Sequence, residues 1–212
     1  MYFNGIGTPK DEAAGEKWYE KAIKLHSYMA SFRMGVILSG RARQSGDIRR
    51  ALSLLRASAS EGFVPAMYSA GLLLVNHPEI CTSPDEALAL LNEAADAGSW
   101  KASVVLGALT RDGKWVPQDP RQAYYHFRVG ALLGGEAGAT LVQNDLRILT
   151  AKISPEDRQQ LDDKAAAWAR EHSQQLELLY RDHKRGASYS VVALANPESG
   201  SHAGTLIPFS VN

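Results

Sequence analysis

One cysteine, Cys81, stands among the 212 residues. No intramolecular disulfide framework is possible, and the fold must be held by packing alone. No run of about 18 apolar residues occurs, so no transmembrane helix is expected. Charge of one sign is not in excess, since Lys plus Arg and Asp plus Glu are each 23. A balanced chain has no global attraction for nucleic acid or an anionic membrane, and any electrostatic contact has to be local. Catalytic signatures are missing too: the chain has no Gly-x-Ser-x-Gly, no Ser-x-x-Lys and no His-Glu-x-x-His. Gly107 to Gly113-Lys114 has the wrong spacing for a phosphate loop and continues into Trp115. The histidines at 26, 77, 126, 172, 183 and 202 never fall at i and i+4, so no helix face offers two imidazoles to a metal. Neither a metal nor a cofactor is expected.

What the chain has is a period. Gly35, Gly71 and Gly107 are 36 residues apart, and Ala30, Ala66 and Ala102 keep the same interval. Gly62, Gly98 and Gly134 form a third column, Ala51, Ala87 and Ala123 a fourth, and Trp18, Leu54, Leu90 and His126 a fifth, mostly bulky one. A unit of this length with helical periodicity inside it is the signature of a helical solenoid. Such folds usually bind rather than catalyse.

Capping chemistry places the helices. Asp11, Asp47, Ser83 and Asp119 share one phase as candidate N-caps, and Ser83-Pro84-Asp85-Glu86 reads as a capping box. In it the Ser83 hydroxyl would accept from the Glu86 N–H, the Glu86 carboxylate would return to the Ser83 N–H, and Pro84 would open the helix. Asp119-Pro120 repeats this, and Ser154-Pro155 does so more loosely. The spacing predicts second helices near 12–25, 48–61, 84–97 and 120–133, and first helices near 27–38, 64–75, 100–111 and 136–150. Gly62, Gly98 and Gly134 would end second helices in the left-handed conformation. Gly35, Gly71 and Gly107 lie inside first helices, at a cost of about 1 kcal/mol each relative to Ala. A side chain there should collide with a neighbouring helix. Residues 155–184 carry Leu161, Ala165, Trp168, Leu176 and Leu179 on one stripe, as a solenoid cap would. The expected division is therefore a solenoid with its capping helix over 1–184 and a tail over 185–212, irregular or a short β-hairpin.

Ala102-Ser103-Val104-Val105-Leu106-Gly107, the series Tyr2, Gly5, Gly7, Asp11 and Trp18, and the close Ala94-Ala95-Asp96-Ala97-Gly98 carry a family resemblance. Together they resemble the Sel-one-like repeat, a relative of the tetratricopeptide repeat, over roughly residues 2–134. The resemblance implies an all-α, right-handed α/α solenoid of about four helix pairs, of bacterial type, acting as a protein-interaction scaffold. A secreted, cysteine-rich branch of the family is associated with penicillin binding, which suggests a rival reading as a hydrolase of cell-wall or β-lactam-like substrates. The single cysteine removes this chain from that branch, and no nucleophile with a partner base is visible. Tyr2 has the phase of Leu38, Leu74 and Thr110, so the first unit is half-sized, which leaves a third reading, a structural fragment of a larger scaffold. Compartment stays open: one cysteine suits the cytoplasm, and a periplasmic location follows if the first unit is truncated.

Helix geometry nominates a binding face. If Ala30, Met34, Gly35 and Leu38 are packed, then at about 100° per residue Met29, Phe32, Arg33 and Val36 lie opposite. Adding the period gives Pro65, Tyr68, Ser69 and Leu72, then Lys101, Val104, Val105 and Ala108. In tetratricopeptide-like solenoids the first helices line the concave surface, so the resemblance makes Met29, Phe32, Arg33, Val36, Tyr68, Leu72, Lys101 and Val104 a candidate groove for a peptide or helix of a protein partner. The competing reading packs these residues within the solenoid. A cluster of Arg41, Arg43, Arg49, Arg50 and Arg56 faces only Asp47 and Glu61 in the sequence, yet no aromatic interleaving makes it a nucleic-acid site, and a solvated loop is expected.

Overall fold

In the computed structural model the described residues are 9, 11–41 and 45–184, with 45 and 174–184 described as backbone only. The tail, 185–212, lies outside them. The described residues form eight helices and no strand: α1 Glu12–Lys24, α2 Tyr28–Arg41, α3 Ser45–Ala59, α4 Val64–Asn76, α5 Pro84–Asp96, α6 Trp100–Asp112, α7 Pro120–Thr150 and α8 Pro155–Lys184. Each seam falls where the repeat columns put it, and the architecture is an α/α solenoid. α7 holds two expected helices in one, broken by non-helical geometry at Gly135 (φ 57°, ψ −140°).

Local chemistry sets most of these ends. The Asp11 carboxylate accepts from the Ala14 N–H at 2.9 Å, Asp119 accepts from Arg121 and Gln122 at 2.9 and 3.1 Å, and Ser154 from Asp157 at 3.0 Å. Gly62 and Gly98 take positive φ, 78° and 87°, as helix terminators should. Three expectations need correction. Asp47 is not an N-cap, because α3 starts at Ser45 and Asp47 lies in its first turn. Ser83 accepts from the Asp85 N–H at 3.2 Å rather than from Glu86. The Glu86 carboxylate does not fold back on Ser83 but takes Arg56 of α3 in two bonds of 2.6 Å; a bidentate guanidinium pair outcompetes one backbone bond. Finally, Gly134 does not break its helix. Its neighbour Gly135 does, because a Cβ at Gly134 would come within 2.9 Å of the Trp100 ring, where α6 lies against α7.

The interior glycines have the packing reason their columns demanded. A Cβ on Gly35 would stand 2.8 Å from Leu55 Cγ, on Gly71 2.7 Å from Leu91 Cγ, and on Gly107 2.9 Å from Phe127 Cδ1. In each unit the first helix thus gives up a side chain so that the residue twenty positions later, on the second helix, can lie against its backbone. Leu55, Leu91 and Phe127 are accordingly among the most buried large side chains, and Ala66, Ala102, Ala51, Ala87 and Ala123 are fully buried beside them. The core is one continuous seam of overlapping clusters running through the units. α8 closes it: Asp162 accepts from Tyr124 at 3.0 Å and from Arg128 at 2.6 Å, Asp157 pairs with Arg121 at 2.7 Å, and Ala165 is fully buried. The capping stripe is met at Leu161, Ala165 and Trp168; the side chains of Leu176 and Leu179 lie outside the described residues.

Candidate partner-binding face

First helices of successive units touch one another, α2 with α4 and α4 with α6, whereas α3 and α5 share at most marginal contact. The row α2, α4, α6 is therefore the inner arc, and the candidate residues lie on it. Val36 is 41% exposed, and Arg33 and Lys101 are exposed too. Met29, Phe32, Tyr68, Leu72 and Val104 are half-buried, while Val105 and Ala108 of the same series are buried. The half-buried members serve the stack as well as the surface. Phe32 meets Phe63 edge-on with ring centroids 5.0 Å apart, Tyr68 and Leu72 pack against the cluster shared by α4, α5 and α6, and Val104 lies where Gly130 has no side chain. A Phe32→Ala or Tyr68→Ala change therefore opens an inter-unit contact, contrary to the sequence-based expectation that these sites tolerate truncation.

Two features give the face its chemistry. The Tyr68 hydroxyl has no hydrogen-bond partner among the described residues, and burial alone pushes it up to about 12, so it stays a neutral donor throughout the physiological range. Arg33 lies 6.0 Å from the Phe32 ring centroid and Lys101 5.6 Å from that of Trp100. Neither cation has an ion pair among the described residues. The arc thus offers a lipophilic middle with one free phenol and a positive charge towards either end. Sequence reasoning missed Leu141, 42% exposed, which continues the series Arg33, Ser69, Val105 by one more period; the signal was present, but the fourth unit was read as degenerate.

The arginine cluster is neutralised by acids that the sequence holds far away. Arg41 meets Glu12 and Glu16 at 3.0 and 2.7 Å, Arg50 meets Glu20 at 3.0 Å, and Arg56 meets Glu86. Arg43 lies outside the described residues. Cys81 is half-buried and donates to the Ser83 carbonyl at 3.4 Å. Among the described residues no group of three or more His, Cys, Asp or Glu side chains is placed to hold a metal ion, and no helix is long and apolar enough to cross a membrane.

A second concavity, of about 280 Å³, opens between α7 and α8 and is lined by Arg121, Gln122, Tyr125, His126, Leu161 and Lys164. His126 holds the phase of Leu54 and Leu90, and burial lowers it to about 4, with Lys164 adding to that and Asp96 opposing it. A histidine kept neutral by the fold but protonated on unfolding favours the unfolded chain in acid. Stability is expected to be fully supported by this group above about pH 6.5 and to fall by up to about 1.4 kcal/mol per pH unit towards pH 4. In urea titrations between those limits, His126→Leu should flatten the pH dependence; equal slopes for both chains would remove His126 as its source.

The repeats have known counterparts. The Sel1 repeat family model matches residues 1–27, 29–63, 65–99 and 101–135, so the second to fourth matches each take one helix pair, the last ending at Gly135. Among curated proteins, the alginate biosynthesis protein AlgK of Pseudomonas aeruginosa is 37% identical over 93 residues, 44% of this chain and 19% of that protein. An uncharacterized protein of Neisseria meningitidis serogroup B is 26% identical over 136 residues, 64% of this chain and 28% of that one. The chain thus spans less than a third of the length of these curated relatives. Two solved structures share the fold. A protective antigen of uropathogenic Escherichia coli displaying an SLR fold gives a TM-score of 0.69 at 22% identity, over 90% of this chain and 40% of that one. A Sel1 repeat protein from Oxalobacter formigenes gives 0.60 at 22% identity, over 79% and 69%.

Proposed function

The chain belongs to the Sel1 repeat family, and from that premise we propose that it captures a peptide or helix of a partner protein on the inner arc of α2, α4 and α6. Repeats of this family generally mediate protein–protein interaction and are typically non-enzymatic scaffolds. The observation that carries the finer reading is the pairing of half-buried apolar side chains with unspent polar groups on one face: the Tyr68 hydroxyl, Arg33 and Lys101 have no protein acceptor. Apolar anchors supply the affinity, and the two cations select an acidic or amphipathic segment. The name of the Pseudomonas relative makes proteins of polysaccharide biosynthesis the first baits to try.

The variant that tests this must spare the stack, so the exposed positions are the right ones. Arg33→Glu/Lys101→Glu reverses both charges where neither side chain is buried. It should leave the thermal midpoint within a few degrees and weaken capture of the partner at least about tenfold. Capture is read by affinity isolation from the source cell, followed by titration of the identified protein. A partner held equally well by the folded variant would move the site off this face.

A further inference from the structure

The barest large apolar side chains among the described residues lie at one end of the solenoid, on α1. Leu25, its C-cap, is 81% exposed and Trp18 is 58% exposed. The opposite side of α1 packs on α2. At about 100° per residue, Ala14, Trp18, Lys21 and Leu25 share one face, and Lys17 and Lys24 border it within an arc of about 120°. All three lysines are exposed, and Lys21 Nζ lies 4.6 Å from the Trp18 ring centroid.

The acids of the same helix point the other way. Glu12 and Glu16 are spent on Arg41, and Glu20 on Arg50. A helix whose charges nearly cancel in sequence is thus sorted in space, with carboxylates against the body and three ammonium groups outside, beside an indole and a leucine. No second element stands next to this face to make a groove among the described residues. It is a single ridge with an apolar crest and a basic flank, the form that lies along a lipid headgroup layer rather than the form that grips a chain.

We infer that this face of α1 docks on an anionic lipid surface. Trp18 and Leu25 enter the headgroup boundary, where an indole is at home, and Lys17, Lys21 and Lys24 meet lipid phosphates, each contributing about a fivefold gain in binding. The chain has no net charge, so attraction comes from this ridge alone, and is short-ranged and salt-sensitive. The inference stands apart from the inner-arc proposal, which involves other helices.

The test is co-sedimentation of the whole chain with phosphatidylcholine vesicles with and without about one third phosphatidylglycerol. The wild-type chain should sediment only with the anionic vesicles and be released as salt rises. Lys17→Gln/Lys21→Gln/Lys24→Gln should lose about a hundredfold in binding, and Trp18→Ser about tenfold, both with an unchanged far-ultraviolet circular dichroism spectrum. A wild-type chain that stays in the supernatant at the highest lipid concentration would overturn the inference, as would a triple variant that sediments like wild type. Binding to polyglutamate without binding to vesicles would overturn it in favour of an acidic polypeptide.

Discussion

Phe127→Ala is expected to lower the stability of the solenoid by about 3–5 kcal/mol, the range for removing a buried aromatic ring from a core. Phe127 is 1% exposed and holds α7 against α6, and its ring occupies the space that Gly107 leaves by having no side chain. The pair makes a sharper expectation than the single change. In the wild-type chain Gly107→Ala puts a methyl group 2.9 Å from the ring, and overpacking of about 1–3 kcal/mol outweighs the gain of about 1 kcal/mol in helix propensity. In the Phe127→Ala background the ring is gone, and the same Gly107→Ala change should stabilise by up to about 1 kcal/mol. Denaturant unfolding of the four chains measures both signs. A Gly107→Ala effect of the same sign in both backgrounds would show that the glycine is not there for the ring.

Gly138→Ala is expected to cost about 2–3 kcal/mol, although Ala30, Ala66 and Ala102 hold that column in the other units. The difference lies in how each helix pair is joined. α3 and α4 are separated by 60–63 and α5 and α6 by 97–99, whereas α7 turns at Gly135 alone. So short a turn brings the second arm of α7 onto the first, and a Cβ on Gly138 would collide with the Gly130 carbonyl oxygen and crowd Ala131 Cα at 3.5 Å. The obstacle is backbone, with no rotamer to yield. Hydrogen exchange should show faster opening of 136–150 in the variant, together with a lower midpoint; an unchanged exchange pattern would mean that the arms separate without penalty.

The two glycines illustrate how the repeat governs binding. The inner arc keeps its shape because each first helix lies close enough to its second helix to exclude a side chain, and this tight pairing leaves Arg33, Val36 and Lys101 free to face outward. Phe32 and Tyr68 are shared between stack and surface, so a loss of binding in their variants has to be read beside a loss of stability. Charge reversal at Arg33 and Lys101 separates the two.

Much of the fold was legible from particular residues. The glycine and alanine columns located every unit, because a collision that recurs in each helix pair imposes the same small residue at the same interval. Asp11, Asp119 and Ser154 announced helix starts, because a cap bonds two or three residues ahead in the chain. The candidate face was legible only as a ladder of types, Phe32, Tyr68, Val104 and their neighbours. The cost of truncating its aromatic members was not, because half-burial depends on how closely the next unit approaches.

The sequence by itself determined the repeat, its helices, most of their boundaries and the glycines that let them pack, since all of these follow from contacts short in sequence or repeated along it. Only the tertiary structure decided where the long side chains spend their charge. Glu86 left its cap for Arg56, Glu12, Glu16 and Glu20 turned to Arg41 and Arg50, and Trp18 was left outside with its lysines while Leu90 in the same column was packed. Those choices join residues about 25–30 positions apart or depend on whether a neighbouring unit covers the face, and a flexible charged side chain takes whichever partner the stacking brings within reach.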